Sequence, residues 1–231
     1  MGKTVSFQRP DGGKINGYLA EAPKPGAPGL VVIQEWWGLN DQIRGVADRY
    51  AAAGYTALVP DLYRGKATVE AAEAEHLMGE LNFGDAAAQD VRGAVQYLKG
   101  QLGCPKVGIT GYCMGGALTL LSVVNVPEAD AAVVWYGAPP LEYIDPAKIR
   151  IPLMGHFAID DAFFAIATID ALEQKLKDTN VAYEFHRYQA MHAFANETQV
   201  GANRLPTTEY NPDAAALAWT RTLGFFERHL H

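Results

Sequence analysis

The chain has 231 residues, 49% of them hydrophobic and 19% charged, with a formal net charge of −7. That is ordinary globular composition with enough chain to bury a large core, and the acidic balance argues against a nucleic-acid partner, which needs a basic stripe. Two cysteines are too few for a disulfide scaffold, no apolar run approaches the ~18 residues of a membrane helix, and Met1 to Pro10 lacks the apolar stretch of a secretory signal, so a cytoplasmic protein with no membrane partner is expected.

Met1-Gly2 with Ser6 fits a loose myristoylation pattern, but Thr4-Val5-Ser6-Phe7 alternates as a first strand does. Residues 4–9 and 15–20 flank the turn signal Asp11-Gly12-Gly13 and form an N-terminal hairpin. The Pro- and Gly-rich stretch 22–29 is short and reads as a loop, so one domain spans 1–231. Leu30-Val31-Val32-Ile33 is a continuous apolar run, as expected of a strand covered on both faces. A helix follows from Asn40 to Ala53, stopping at Gly54, and a second buried strand from Tyr55 to Val59. Residues 67–82 and 85–100 are Ala-rich and helical. Strands are then predicted at 107–110, 131–136, 151–157 and 183–188, and helices at 115–124, 162–178 and 213–228. This alternation specifies an α/β fold: a mostly parallel sheet with helices on both faces and an antiparallel hairpin at its start. In such sheets reactive groups gather just past the carboxyl ends of the strands.

Gly111-Tyr112-Cys113-Met114-Gly115 follows a strand and opens a helix. It is the G-x-S-x-G nucleophile elbow of the α/β-hydrolase fold with cysteine in place of serine. The turn is so sharp that side chains two positions either side of the nucleophile would collide, which is why glycine stands at both. Gly116 lets the helix approach the sheet closely. The helix N-terminus favours thiolate at Cys113, and the Met114 N–H points where a carbonyl oxygen would become an oxyanion. Cys104, in a Gly-Cys-Pro turn away from any acid or base, reads as structural.

A thiol nucleophile needs a base, and the hydrolase order is nucleophile, acid, histidine. Of six histidines, His192 follows the last strand, where that order wants the base. His156 and His186 fall within strands and read as structural; His76, His229 and His231 lie in a charged helix and at the tail. Asp160 and Asp161 are both placed for the orienting acid, spacing does not choose between them, and either can cap the next helix. Glu35 ends a buried strand ahead of two tryptophans, so a raised pKa or a specific partner is expected. Trp36 N–H is the candidate second oxyanion donor. Of the aromatic residues that cluster after strands most are core, but Trp37, Tyr112, Phe163 and Phe194 are candidates to wall an apolar substrate pocket, with Asn196 as a further pocket candidate.

Taken together, Gln34-Glu35-Trp36-Trp37-Gly38-Leu39-Asn40, Val59-Pro60-Asp61-Leu62-Tyr63, Gly111 to Leu118, Gly155-His156-Phe157 through Asp161-Ala162-Phe163, and His192-Ala193-Phe194-Ala195 resemble the dienelactone hydrolases (carboxymethylenebutenolidases) over nearly the whole chain. The resemblance implies an α/β-hydrolase fold and a Cys113–His192–Asp161 triad, favouring Asp161 over Asp160. It further implies that Glu35 contacts the resting thiol and accepts its proton when substrate binds. No metal or organic cofactor is implied; the partner is a small ester or lactone, and the state a monomer or small homo-oligomer. One departure stands out. The family holds its substrate's carboxylate with two arginines, whereas here Asn196 stands four residues past His192 and the region of Ala72 has no arginine. Arg64 and Arg204 are the possible substitutes, and a neutral ester or thioester is the alternative substrate. Two rival readings are a flavodoxin-like cysteine deglycase or chaperone, which would have no use for His192, and a non-catalytic ligand-binding relative, which would have lost a triad member.

Overall fold

The computed structural model describes residues 2–231; Met1, where the acylation pattern begins, lies outside them. Eight strands form one sheet: β1 (Lys3–Gln8), β2 (Lys14–Ala20), β3 (Gly29–Ile33), β4 (Thr56–Pro60), β5 (Val107–Tyr112), β6 (Ala131–Trp135), β7 (Leu153–Asp160) and β8 (Tyr183–Met191). Their order is β1-β2-β4-β3-β5-β6-β7-β8. The hairpin pairs antiparallel and joins β4 antiparallel; every pairing from β4 to β8 is parallel. The α/β-hydrolase arrangement expected from the sequence is therefore present.

The helices are α1 (Asp41–Ala52), α2 (Ala71–Glu80), α3 (Phe83–Asp85), α4 (Arg92–Gly100), α5 (Met114–Asn125), α6 (Ile166–Lys177) and α7 (Pro212–Leu230). The apolar strands alternate their side chains between two cores. Val31 and Ile33 of β3 face the core that includes residues of α4, α5 and α6, while Leu30 and Val32 face the core that includes residues of α1 and α7. That two-sided burial is why these strands read as unbroken hydrophobic runs. Among the described residues no helix is long and apolar enough to cross a membrane.

Several elements differ from the sequence reading in ways that matter for the site. β5, β7 and β8 run on to Tyr112, Asp160 and Met191, so Cys113, Asp161 and His192 are each the first residue past a strand. The helix predicted from 162 begins at Ile166, because the Asp161 carboxylate ties up the Phe163 and Phe164 N–H groups in a turn of its own. The helix predicted over 85–100 carries a π-helical stretch, Ala86–Val91. Within it the buried Asp90 accepts both oxygens' worth of hydrogen bonds from Arg64, at 2.9 Å each.

Candidate active site

The elbow is built as its glycines require. Cys113 caps the N-terminus of α5 with φ 56° and ψ −115°, a conformation that non-glycine residues rarely adopt. A side chain on Gly111 would overlap the Gly115 carbonyl, and one on Gly115 would press on the carbonyl oxygens of Ile33 and Gln34. The Cys113 N–H is anchored to the Trp135 carbonyl at 3.0 Å. The N–H groups of Met114 and Trp36 have no hydrogen-bond acceptor among the described residues, and both residues line the same cavity as Cys113.

His192 and Asp161 meet as a buried pair, Nδ1 to Oδ2 at 2.7 Å. The other Asp161 oxygen accepts the Phe163 and Phe164 N–H groups at 2.8 and 2.9 Å, which fixes the carboxylate. Asp160 instead points outward and accepts from Gln189. With Nδ1 given to the carboxylate, Nε2 is the nitrogen left for the thiol. Burial pulls the imidazole's pKa down, but the neighbouring Cys113 sulfur and the Asp161 carboxylate outweigh it and raise it to about 10. Phe163, Phe164 and Tyr136 surround the ring, with centroids 4.8, 5.6 and 5.2 Å away.

Glu35 also lines the cavity and is only 5% exposed. Burial pushes its carboxyl pKa up, while His192, Asn196 and Tyr136 pull it back. Its two oxygens accept from the Tyr136 hydroxyl at 3.2 Å and from Asn196 Nδ2 at 2.7 Å. Among the described residues it makes no hydrogen bond to Cys113; its hydrogen-bond partners are these two neutral donors.

The cavity has a volume of about 560 Å³. Trp37 and Phe163 wall it as expected, and Trp36 joins them. Three expected pocket residues do not. Tyr112 points to the opposite face of the sheet, stacks on Trp135 at 5.0 Å and meets the Tyr50 hydroxyl, because alternation along β5 turns it away from the elbow. Phe194 is fully buried between Trp135, Tyr136 and Tyr188. Asn196 serves the cavity only through Glu35. Sequence reasoning missed Met78, Phe83, Tyr143 and Leu205, which complete the apolar walls; they come from segments with no motif to mark them. Neither Arg64 nor Arg204 reaches the site: the first is held by Asp90, the second by the Thr208 carbonyl. No lysine or arginine is among the described residues that line the cavity.

The dienelactone hydrolase family model matches residues 15–230. The chain belongs to the dienelactone hydrolase family. A relative called protein usf, from Aquifex pyrophilus, is 34% identical with the whole of both chains covered. A carboxymethylenebutenolidase from Pseudomonas putida is 28% identical over 96% of this chain and 94% of its own. In fold the chain is similar to a dienelactone hydrolase-like promiscuous phosphotriesterase from metagenomic libraries, with a TM-score of 0.84, 23% identity, and coverage of 100% of this chain and 99% of that one. The dienelactone hydrolase-like chain is thus a hydrolase, of an enzyme class that works on ester and lactone bonds.

Proposed function

We propose that this member of the family hydrolyses an uncharged ester or lactone by covalent thiol catalysis, with residues 1–231 as a single catalytic domain. The observation that supports the mechanism best is the strained Cys113 at the N-terminus of α5, sharing a cavity with the buried His192–Asp161 pair. The Cys113 thiolate attacks the carbonyl carbon and a C–S bond forms. The oxyanion accepts hydrogen bonds from the Met114 and Trp36 N–H groups, each such donor being worth ~3 kcal/mol. The His192 imidazolium passes its proton to the leaving oxygen as the C–O bond breaks. A water then attacks the thioester, His192 takes its proton, and the acid departs with the thiolate restored. Glu35, close enough for its charge to be felt at His192, acts on the protonation of this pair. The absence of any cation along the described cavity wall favours a neutral substrate over one with a carboxylate. Both cysteines are free thiols, which suits a nucleophile that has to stay reduced and so a cytoplasmic enzyme.

The test is p-nitrophenyl acetate hydrolysis by Cys113→Ala. A fall in kcat/KM of about a thousandfold or more is expected. Turnover at the wild-type rate would dispose of the thiol mechanism.

A further inference from the structure

The chemistry just described uses one end of the cavity. From there α5 runs on beneath the floor: Ala117 and Leu121, four and eight residues past Cys113, both line the cavity and share one face of the helix. At 1.5 Å per residue, that floor extends about 12 Å beyond the thiol. Met78, Phe83 and Tyr143 line it too, so the enclosure is apolar on several sides. The leaving oxygen has to sit beside His192, the group that protonates it, and Phe163 and Phe164 occupy that side. The acyl half of the substrate therefore points the other way, along α5. One charge stands on that wall. Glu75, a turn before Met78 on α2, lines the cavity and is exposed to solvent.

Resting on the thiol reading above, we propose that the trench over Ala117 and Leu121 is an acyl subsite for an uncharged chain of hexanoyl to octanoyl length, and that Glu75 at its rim turns away acyl chains ending in a carboxylate. An apolar tail gains by leaving water along the floor. A terminal carboxylate of the same length meets a like charge and no compensating cation, a penalty that salt screens.

The experiment is a kcat/KM series with p-nitrophenyl acetate, butyrate, hexanoate and octanoate, together with mono-p-nitrophenyl suberate, the octanoate analogue with a terminal carboxylate. In the wild type the series is expected to rise about tenfold or more from acetate to octanoate, in line with the modest value of each methylene in an apolar pocket. Ala117→Phe, and independently Met78→Trp on the facing wall should the first variant not fold, are expected to lower the octanoate-to-acetate ratio about tenfold. The suberate ester should be worse than octanoate by roughly fivefold at low salt, and Glu75→Lys should close that gap, an effect that shrinks as salt rises. A flat or falling chain-length series, or a ratio unmoved by both wall substitutions, overturns the subsite. Equal turnover of suberate and octanoate esters, or a gap indifferent to Glu75→Lys, overturns the role of Glu75. Repeating the series in Cys113→Ala separates the two levels. Turnover that persists there removes the thiol mechanism, whereas Cys113-dependent turnover with a flat series removes the subsite alone.

Discussion

His156 and His192 are both buried and both hydrogen-bonded, yet their surroundings treat a proton in opposite ways. His156, in β7, has Nδ1 2.9 Å from the Tyr188 hydroxyl and Nε2 2.8 Å from Thr222 Oγ1. Burial, then the neighbouring His186 and Arg221, hold its pKa well below the ordinary histidine range, so it stays a neutral strut between the sheet and α7. His192 suffers the same burial, but the Asp161 carboxylate holds one end of its ring and the Cys113 sulfur adds to the upward pull on its pKa. The contrast illustrates that burial favours a neutral imidazole and that a facing carboxylate and sulfur favour a charged one. The catalytic role proposed for His192 therefore rests on its partners and not on the depth of the ring.

Removing each ring in turn gives the largest effects and can break the contrast outright. His192→Ala should lower ester kcat/KM by about a thousandfold or more. His156→Ala should do the reverse. It leaves Tyr188 and Thr222 short of a partner and opens a hole behind Trp135, costing about 2–4 kcal/mol and lowering Tm by roughly 5–10 °C, while turnover per folded molecule stays within a few fold. Thermal melts beside ester assays read both. If His156→Ala abolished turnover at unchanged Tm, the division between strut and catalyst would collapse.

The pH dependence sharpens the same point with a smaller effect. In the proposed mechanism the imidazolium of His192 is the proton donor to the leaving oxygen, and its pKa is raised to about 10. Activity should therefore persist through mildly alkaline pH and fall as pH climbs through about 10, where the ring loses its proton. In Cys113→Ala the sulfur's contribution is gone and burial is opposed only by the Asp161 and Glu35 carboxylates, so the His192 pKa should drop. An imidazole titration followed by NMR reads the shift directly; a pKa unmoved by loss of the sulfur would mean that Cys113 and His192 do not interact.

Much of this was legible in the sequence because it rests on local rules. The Gly-x-Cys-x-Gly spacing encodes the elbow, since the backbone clash that demands glycine at 111 and 115 lies within one turn of chain. Strand ends were legible to within a few residues, so the positions of Cys113 and His192 past β5 and β8 could be expected. What was hidden depends on direction and on distant packing. Tyr112 looked like a pocket residue because it adjoins the nucleophile, yet strand alternation sends it to the other face. Phe194, two residues past the base, turns into the core. Met78, Phe83 and Tyr143 reach the cavity from α2, α3 and the segment after β6, and nothing in their own neighbourhoods announces it. Gly137 was missed for a similar reason: a side chain there would overlap the Cys113 carbonyl, a clash between residues far apart in sequence.

The finest test concerns the second carboxylate. Glu35 stands near His192, yet the donors that hold it are neutral. Among the described residues the Tyr136 hydroxyl hydrogen-bonds only to Glu35 Oε1, and Tyr136 itself is held at φ 36°, so Tyr136→Phe deletes one hydrogen bond with little change of shape. That bond lowers the Glu35 pKa against the upward push of burial; without it the carboxyl should protonate at higher pH. The expected cost is a threefold to tenfold loss in kcat/KM, on the order of one neutral hydrogen bond, with the alkylation of Cys113 by iodoacetamide changing its pH profile. Glu35→Gln should alter the same profile. If Tyr136 acts only through Glu35, the two changes will not add: Tyr136→Phe in the Glu35→Gln background should have almost no further effect. Full additivity would detach Tyr136 from the carboxylate and leave it as packing against the His192 ring.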